Sequence, residues 1–164
     1  MENKNTLLIV DVQKGFINES TLFIPKAVQK LQEDYQQVFI TKFINIEESP
    51  FRKLMSWHEL SIGDPNVELA FRPVKRAIIL EKTAYTCVDK YFLKCLENLT
   101  TVDICGIDTD ACVMKCALDL FENGKTPRVL ANYCASSGGT YYHKSALKIL
   151  ERNIGKEQII YGKK

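Results

Sequence analysis

Three side chains with complementary acid–base chemistry stand where apolar runs of this sequence end. Asp11 closes the run Leu7-Leu8-Ile9-Val10, in Asp11-Val12-Gln13. Lys82 follows Ala77-Ile78-Ile79-Leu80 and Glu81. Cys112 lies a few residues beyond a run ending at Gly106, in Gly106-Ile107-Asp108-Thr109-Asp110-Ala111-Cys112-Val113. A free thiol titrates at about 8.5 and is mostly protonated at neutral pH. To become a nucleophile it needs a base for its proton, or positive charge that favours the thiolate. Asp11 is a candidate base if partly desolvated, because burial raises a carboxylate's pKa. Lys82 can stabilise both the carboxylate and the thiolate. Near a helix start, Cys112 would also feel the N-terminal dipole and N–H groups able to donate to a tetrahedral oxyanion. The plainer reading is structural: Asp–Lys pairs occur at strand ends, and cysteine is a common core residue.

These residues meet only if the strands carrying them are parallel neighbours. Strands are predicted at Thr6–Asp11, Gln37–Phe43, Ala77–Glu81, Thr101–Gly106, Arg128–Ala131 and Gln158–Tyr161. Most are near-continuous apolar runs, as expected of strands buried on both faces. Helical periodicity covers Pro25–Asp34, Val88–Glu97, Asp110–Asn123 and Tyr141–Arg152, and Gly124 marks the end of the third. Such alternation predicts an α/β fold, a parallel sheet with helices on both faces. Ligands of open sheets of this type bind at the carboxyl ends of the strands. The stretch from Ile46 to Val74 is the least regular. It carries Pro50, Pro65 and Pro73 and predicts a short helix near Arg52–Glu59 within a long loop able to cover a site.

The bulk properties exclude several classes. With 164 residues the chain is expected to form one domain, residues 1–164. Hydrophobic residues make up 46% and charged ones 26%, which argues against disorder. The net charge of +2 comes from 22 basic and 20 acidic residues scattered along the chain, so no nucleic-acid partner is expected. The one basic cluster, Gly162-Lys163-Lys164, reads as a solvated tail. No apolar stretch approaches the roughly 20 residues needed to span a bilayer, and no membrane partner is expected. The start, Met1-Glu2-Asn3-Lys4-Asn5, lacks the features of a signal peptide, so a cytoplasmic location is expected. The six cysteines, at 87, 95, 105, 112, 116 and 134, are then read as thiols. None forms C-x-x-C, and His58 and His143 are too far apart for a structural zinc site.

Three segments together resemble the signatures of the isochorismatase-like cysteine hydrolases, the nicotinamidase-related amidohydrolases. They are Asp11-Val12-Gln13 with Gly15-Phe16, Glu81-Lys82 with Thr83-Ala84-Tyr85, and Gly106-Ile107 with Thr109-Asp110 and Cys112-Val113. Their order and separations match over nearly the whole chain. Asp119, Gly124, Cys134-Ala135-Ser136 and His143 fit as well. The resemblance implies a three-layer α/β/α fold with a six-stranded parallel sheet of order 3-2-1-4-5-6. It implies Cys112 as nucleophile, Asp11 as general base and Lys82 as charge partner. It also implies a cis peptide at Ile107–Asp108, aiming the N–H groups of Asp108 and Cys112 into an oxyanion hole. The implied substrate is a small molecule, and many members are homo-oligomers. Acyl transfer through a thioester suits amides, ureido acids and carbamoyl compounds. Vinyl-ether hydrolysis does not require such an intermediate.

Two departures bear on the substrate. The nicotinamidase branch carries an Asp-x-His motif and further histidines after the second strand, which hold a metal. Here the stretch is Thr41-Lys42-Phe43-Ile44-Asn45-Ile46-Glu47-Glu48-Ser49-Pro50-Phe51, without histidine, and Glu47 and Glu48 make a poor transition-metal site. No metal or other cofactor is expected, and His58 reads as a packing or helix-surface residue. The second departure is Asp108, where relatives carry a small residue. Its carboxylate would oppose an oxyanion and raise the thiol pKa, unless it points away or recognises a polar substrate group. The first of these is preferred. Phe16, Phe43 and Tyr85, with Trp57, are candidates for an aromatic substrate wall, although each also suits a core. Cys116, one turn from Cys112, reads as packing. Cys87 is the better candidate for a second functional thiol.

Other readings of the architecture remain. Ser136-Ser137-Gly138-Gly139-Thr140 precedes a helix and would suit an anion. It lacks the G-x-G-x-x-G and G-x-x-x-x-G-K-[ST] fingerprints of nucleotide binders. A phospho-receiver domain would leave the cysteine segment unexplained. A non-catalytic binding module of the same fold is kept open by Asp108.

Overall fold

The computed structural model describes residues 6–162. The start Met1–Asn5 and the lysines Lys163 and Lys164 of the basic tail lie outside the described residues. Six strands form one sheet: β1 (Thr6–Val10), β2 (Gln37–Phe43), β3 (Ile78–Lys82), β4 (Thr101–Ile107), β5 (Thr126–Ala135) and β6 (Ile159–Ile160). All pairings are parallel and the order is β3-β2-β1-β4-β5-β6, as expected. Five α-helices flank it in a three-layer α/β/α arrangement: α1 (Ile24–Leu31), α2 (Pro50–Met55), α3 (Lys90–Cys95), α4 (Met114–Glu122) and α5 (Thr140–Ile154).

The central strands follow from their composition. All five residues of β1 are buried, as are Val102 to Ile107 of β4, because helices cover both faces. β3 takes the edge position that this order requires, but its apolar run is not buried on both faces as its composition suggested: Ile78 and Ile79 are 37% and 41% exposed. β5 extends beyond the predicted Arg128–Ala131 because its pairing with β4 continues past an irregularity and resumes at Gly106↔Cys134 and Ile107↔Ala135. The starts of α2 and α3 are set by side-chain caps. The Asp89 carboxylate accepts from Phe92 N at 2.8 Å, so α3 begins at Lys90 rather than Val88. Ser49 caps α2 with Pro50 in its first turn. The left-handed backbone of Ser56, φ 54°, ends α2 at Met55, four residues before the expected limit.

One close approach fixes the middle of the sheet. Gly106 has φ 121°, and a Cβ there would sit 2.1 Å from the Val10 carbonyl oxygen. Only glycine allows β1 and β4 to come together at this point. The strand order reverses between these two strands, which opens a crevice at their carboxyl ends. Far along β4 from that crevice, Asp103 accepts from Tyr35 Oη at 2.5 Å and from Arg128 Nε and a guanidinium NH2 at 2.6 and 2.8 Å. That network ties the opposite side of the sheet together.

The irregular stretch after β2 has its own small apolar cluster of Phe43, Phe51, Leu60 and Val67. Asn45 holds it in place, donating to the carbonyls of Trp57 and Glu59 at 2.9 and 3.0 Å and accepting from Ser49 Oγ at 2.5 Å.

Candidate active site

The three strand-end residues meet at the crevice. Asp11 immediately follows β1 and turns the chain with φ 48°, a left-handed conformation that aspartate tolerates better than most residues. Its backbone N–H donates to Thr41 Oγ1 at 3.0 Å, and the same hydroxyl donates to Asp11 Oδ1 at 2.5 Å. Lys82, the last residue of β3, donates to Asp11 Oδ2 at 2.7 Å and to the carbonyl of Ala84 at 2.9 Å. Its third close partner is Cys112 Sγ, at 3.5 Å. Asp11, Lys82 and Cys112 are 0%, 7% and 6% exposed, so the chain of contacts runs through a nearly dry interior.

Cys112 sits in a wide turn over Thr109–Val113, in which Val113 N donates to Asp108 O at 3.1 Å, just before α4. A 2.8 Å hydrogen bond between Thr109 Oγ1 and His143 Nδ1 fastens this turn to α5. The Ile107–Asp108 peptide at its start is cis. Gln13 staples the neighbouring segments: its amide nitrogen donates to the Phe43 and Val67 carbonyls at 2.9 and 2.8 Å, and its oxygen accepts from Phe43 N at 2.8 Å.

Burial pushes the Cys112 thiol well up, and the negative charge of Asp11 adds to this against the opposing charge of Lys82. Burial also works against the Lys82 ammonium, but Asp11 and then Cys112 outweigh it and hold it protonated. The resting site is therefore a neutral thiol beside an Asp11–Lys82 ion pair. A carboxylate held this way can accept the thiol proton once a substrate makes the sulfur's charge worth forming.

Above the thiol lies a cavity of about 530 Å³. The candidate wall residues Phe16, Phe43, Trp57 and Tyr85 line it, together with Phe51, which the sequence did not single out. Phe43 stacks on Trp57 with centroids 5.8 Å apart and meets Phe51 edge-on at 5.0 Å. Phe51 meets Tyr85 in the same edge-on manner, also at 5.0 Å.

Asp108 takes a position between its two expected alternatives. Its carboxylate accepts from Ser137 N at 2.6 Å and from Ser137 Oγ at 2.8 Å, yet the residue also borders the cavity. Burial pushes its carboxyl up to about 6, against the Ser137 hydrogen bonds, and the charges of Asp110 and Asp11 add to the rise. Because the folded value lies above the ordinary one of about 4, ionisation costs stability. The group's contribution is full below about pH 4 and is lost as pH rises through about 6. Asp108→Asn is thus expected to gain on the parent chain by on the order of 1–2 kcal/mol between about pH 5 and about pH 8, after discounting for water in the cavity. Urea midpoints at the two pH values measure this, and a pH-independent difference would contradict it.

The other thiols fall into place. Cys116 is fully buried, and its sulfur lies 3.8 Å from that of Cys87. This hydrogen bond, followed by burial, pushes the Cys87 thiol up. Cys95 is half-buried, and all six cysteines are unbridged.

The donors after β2 do not suit a metal ion. The Asn45 side chain is committed to its loop, Glu47 is exposed, and Glu48 pairs with Lys53 at 2.5 Å. His58 lies beyond the end of α2 and is exposed, rather than on a helix surface. Among the described residues no group of three or more His, Cys, Asp or Glu is placed to hold a metal ion. Nor is any helix among them long and apolar enough to cross a membrane.

The sequence matches the Isochorismatase domain over residues 5–158. It is 26% identical over 135 residues to Isochorismatase domain-containing protein 2 of Xenopus laevis, a match covering 82% of this chain and 62% of that protein. The chain therefore spans less than two thirds of the length of this relative. Its fold superposes on the pyrazinamidase/nicotinamidase of Streptococcus mutans UA159 with a TM-score of 0.81 at 22% identity, covering 95% of this chain and 99% of that one. With the N-carbamoylsarcosine amidase of Thermoplasma acidophilum the TM-score is 0.75 at 20% identity, over 93% of each chain. At these identities the structural likeness speaks for the fold.

Proposed function

The chain belongs to the isochorismatase family, and from that premise we propose that it is a cysteine hydrolase cleaving an amide, ureido or carbamoyl C–N bond of a small molecule. The observation that carries this reading is the buried contact chain Asp11–Lys82–Cys112, with its sulfur at the base of an aromatic-walled cavity. The amidase names of two structural relatives lend it support.

In this mechanism the substrate carbonyl lies over Cys112. Asp11 takes the Sγ proton as sulfur attacks the carbonyl carbon, and the C=O electron pair moves onto oxygen. The backbone N–H groups of Asp108 and Cys112 are the proposed donors to that oxyanion. Collapse of the intermediate expels the nitrogen, which receives the proton held by Asp11, and leaves a thioester on Cys112. Water then attacks the thioester with Asp11 again as base, and the thiol is regenerated as the acid product leaves. Lys82 pairs with Asp11 at 2.7 Å and offsets negative charge on sulfur during attack. The Asp11 oxygens accept from Thr41 and Lys82, which orients the carboxylate and leaves lone pairs for the thiol proton.

The reaction is proposed to be metal-independent, because the side chains after β2 are the wrong donors or already engaged. The test is ammonia release from a panel of small primary amides, ureido acids and carbamoyl amines. Turnover is expected with at least one class and is expected to survive EDTA. Release abolished by EDTA and restored by a divalent ion would overturn the metal-free mechanism. Absence of release across the panel would overturn the hydrolase reading.

A further inference from the structure

Building on the hydrolase reading of this site, we infer that its substrate carries a positive charge, an amine or guanidinium held between the aromatic wall and the carboxylates of Glu59, Asp108 and Asp110. The site is defined by the cavity and by Cys112; the carboxylates decide which charge it accepts. All three acids line the cavity, and no Lys, Arg or His does so among the described residues. Lys82, 3.5 Å from the Cys112 sulfur, already has its charge matched by Asp11 at 2.7 Å. Asp108 is hydrogen-bonded to Ser137, but those donors are neutral and leave its charge uncompensated. The carboxylates of Glu59 and Asp110 have no hydrogen-bond or ion-pair partner among the described residues, and both residues are exposed.

The wall suits the same ligand. Five aromatic rings, Phe16, Phe43, Phe51, Trp57 and Tyr85, border the cavity, and ring faces attract cations. Phe43 demonstrates this within the protein, with Lys82 Nζ lying 5.2 Å from its centroid. A carboxylate-bearing substrate would meet like charge at the mouth and around the thiol. A neutral one would gain apolar contact only. A cation gains from both the rings and the acids, which also steer its approach.

Charged thiol reagents test this without requiring turnover. A trimethylammonioethyl and a sulfonatoethyl methanethiosulfonate are similar in size and opposite in charge. With either, the Cys112 thiolate attacks the sulfenyl sulfur, forms a mixed disulfide and expels methanesulfinate. Rates at Cys112 are obtained by peptide mapping and divided by those of 2-mercaptoethanol, a neutral thiol. At low ionic strength the cationic reagent is expected to react at least about tenfold faster, relative to the anionic one. The preference should shrink in about 0.5 M salt and in Glu59→Gln, and shrink further or reverse in Glu59→Lys. Each ratio is taken within one variant, so changes in intrinsic thiol reactivity cancel. Half-buried Cys95 is the internal reference and should show no comparable preference. A ratio at Cys112 of one or less, or one equal to that at Cys95, overturns the inference. In that case continued amide turnover leaves the hydrolase reading intact. A strong cation preference without any amide cleavage supports the charge assignment while overturning the hydrolase.

Discussion

Asp11→Asn should lower kcat/KM on the order of 10³-fold while making Cys112 alkylate faster at neutral pH. The first effect follows from loss of the only proton acceptor that the proposed mechanism uses. The second has the opposite sign from what a simple base-activated thiol would show. In the resting site the Asp11 charge is among the forces that raise the Cys112 pKa, second to burial, while Lys82 opposes them. Removing that charge while Lys82 remains lowers the thiol pKa and raises the thiolate fraction. Iodoacetamide labelling of Cys112, referenced to Cys95, should therefore rise severalfold in the variant. If labelling slows along with turnover, Asp11 draws the proton in the resting enzyme and the neutral-thiol ground state is wrong. If turnover survives, Asp11 is not the base.

Lys82→Met should cost about 3–5 kcal/mol of stability, the usual penalty for stranding a buried charge. Asp11 is 0% exposed and, once Lys82 is gone, keeps neutral side-chain donors, the Thr41 hydroxyl and the Cys112 thiol, with no positive charge to match its own. Methionine fills a similar volume, so the loss reflects charge more than packing. The double variant Asp11→Asn/Lys82→Met removes both charges and should recover much of that loss, as seen in urea midpoints. Equal destabilisation in the single and double variants would instead point to packing around the lysine stem. Activity should be lost in both, because the thiolate then forms without a nearby positive charge.

How much of this was legible in the sequence depended on whether an interaction was local or lateral. Asp11, Lys82 and Cys112 stood out because apolar runs end beside them, and a parallel sheet gathers such ends on one rim. The sheet order came from the family resemblance, since apolar runs alone do not say which strands are neighbours. Thr41 was missed as a partner of Asp11, 30 residues away, because their contact depends on the β1–β2 register. Its signal was a hydroxyl interrupting the buried run Val38-Phe39-Ile40. Gln13 and Asn45 were missed as staples for the same reason, since most of their partners are backbone groups, which a sequence does not distinguish. Phe51 lines the cavity from α2, which starts at Pro50 behind the Ser49 cap, two residues before the helix that periodicity suggested. The burial of β3 was misjudged from its composition, because an apolar run looks alike at a sheet's edge and its centre. For Asp108, neither alternative foresaw a carboxylate anchored to Ser137 while still bordering the cavity.

The central claim is that Cys112 carries the acyl group, and one measurement addresses it directly. The protein is mixed with the best amide from the panel, quenched in acid within its first turnovers, and mapped by peptide mass. The account predicts an acyl adduct on the peptide containing Cys112, released by neutral hydroxylamine as a thioester is. It also predicts that both adduct and turnover vanish in Cys112→Ala. An adduct on another residue, or turnover retained by Cys112→Ala, would contradict it.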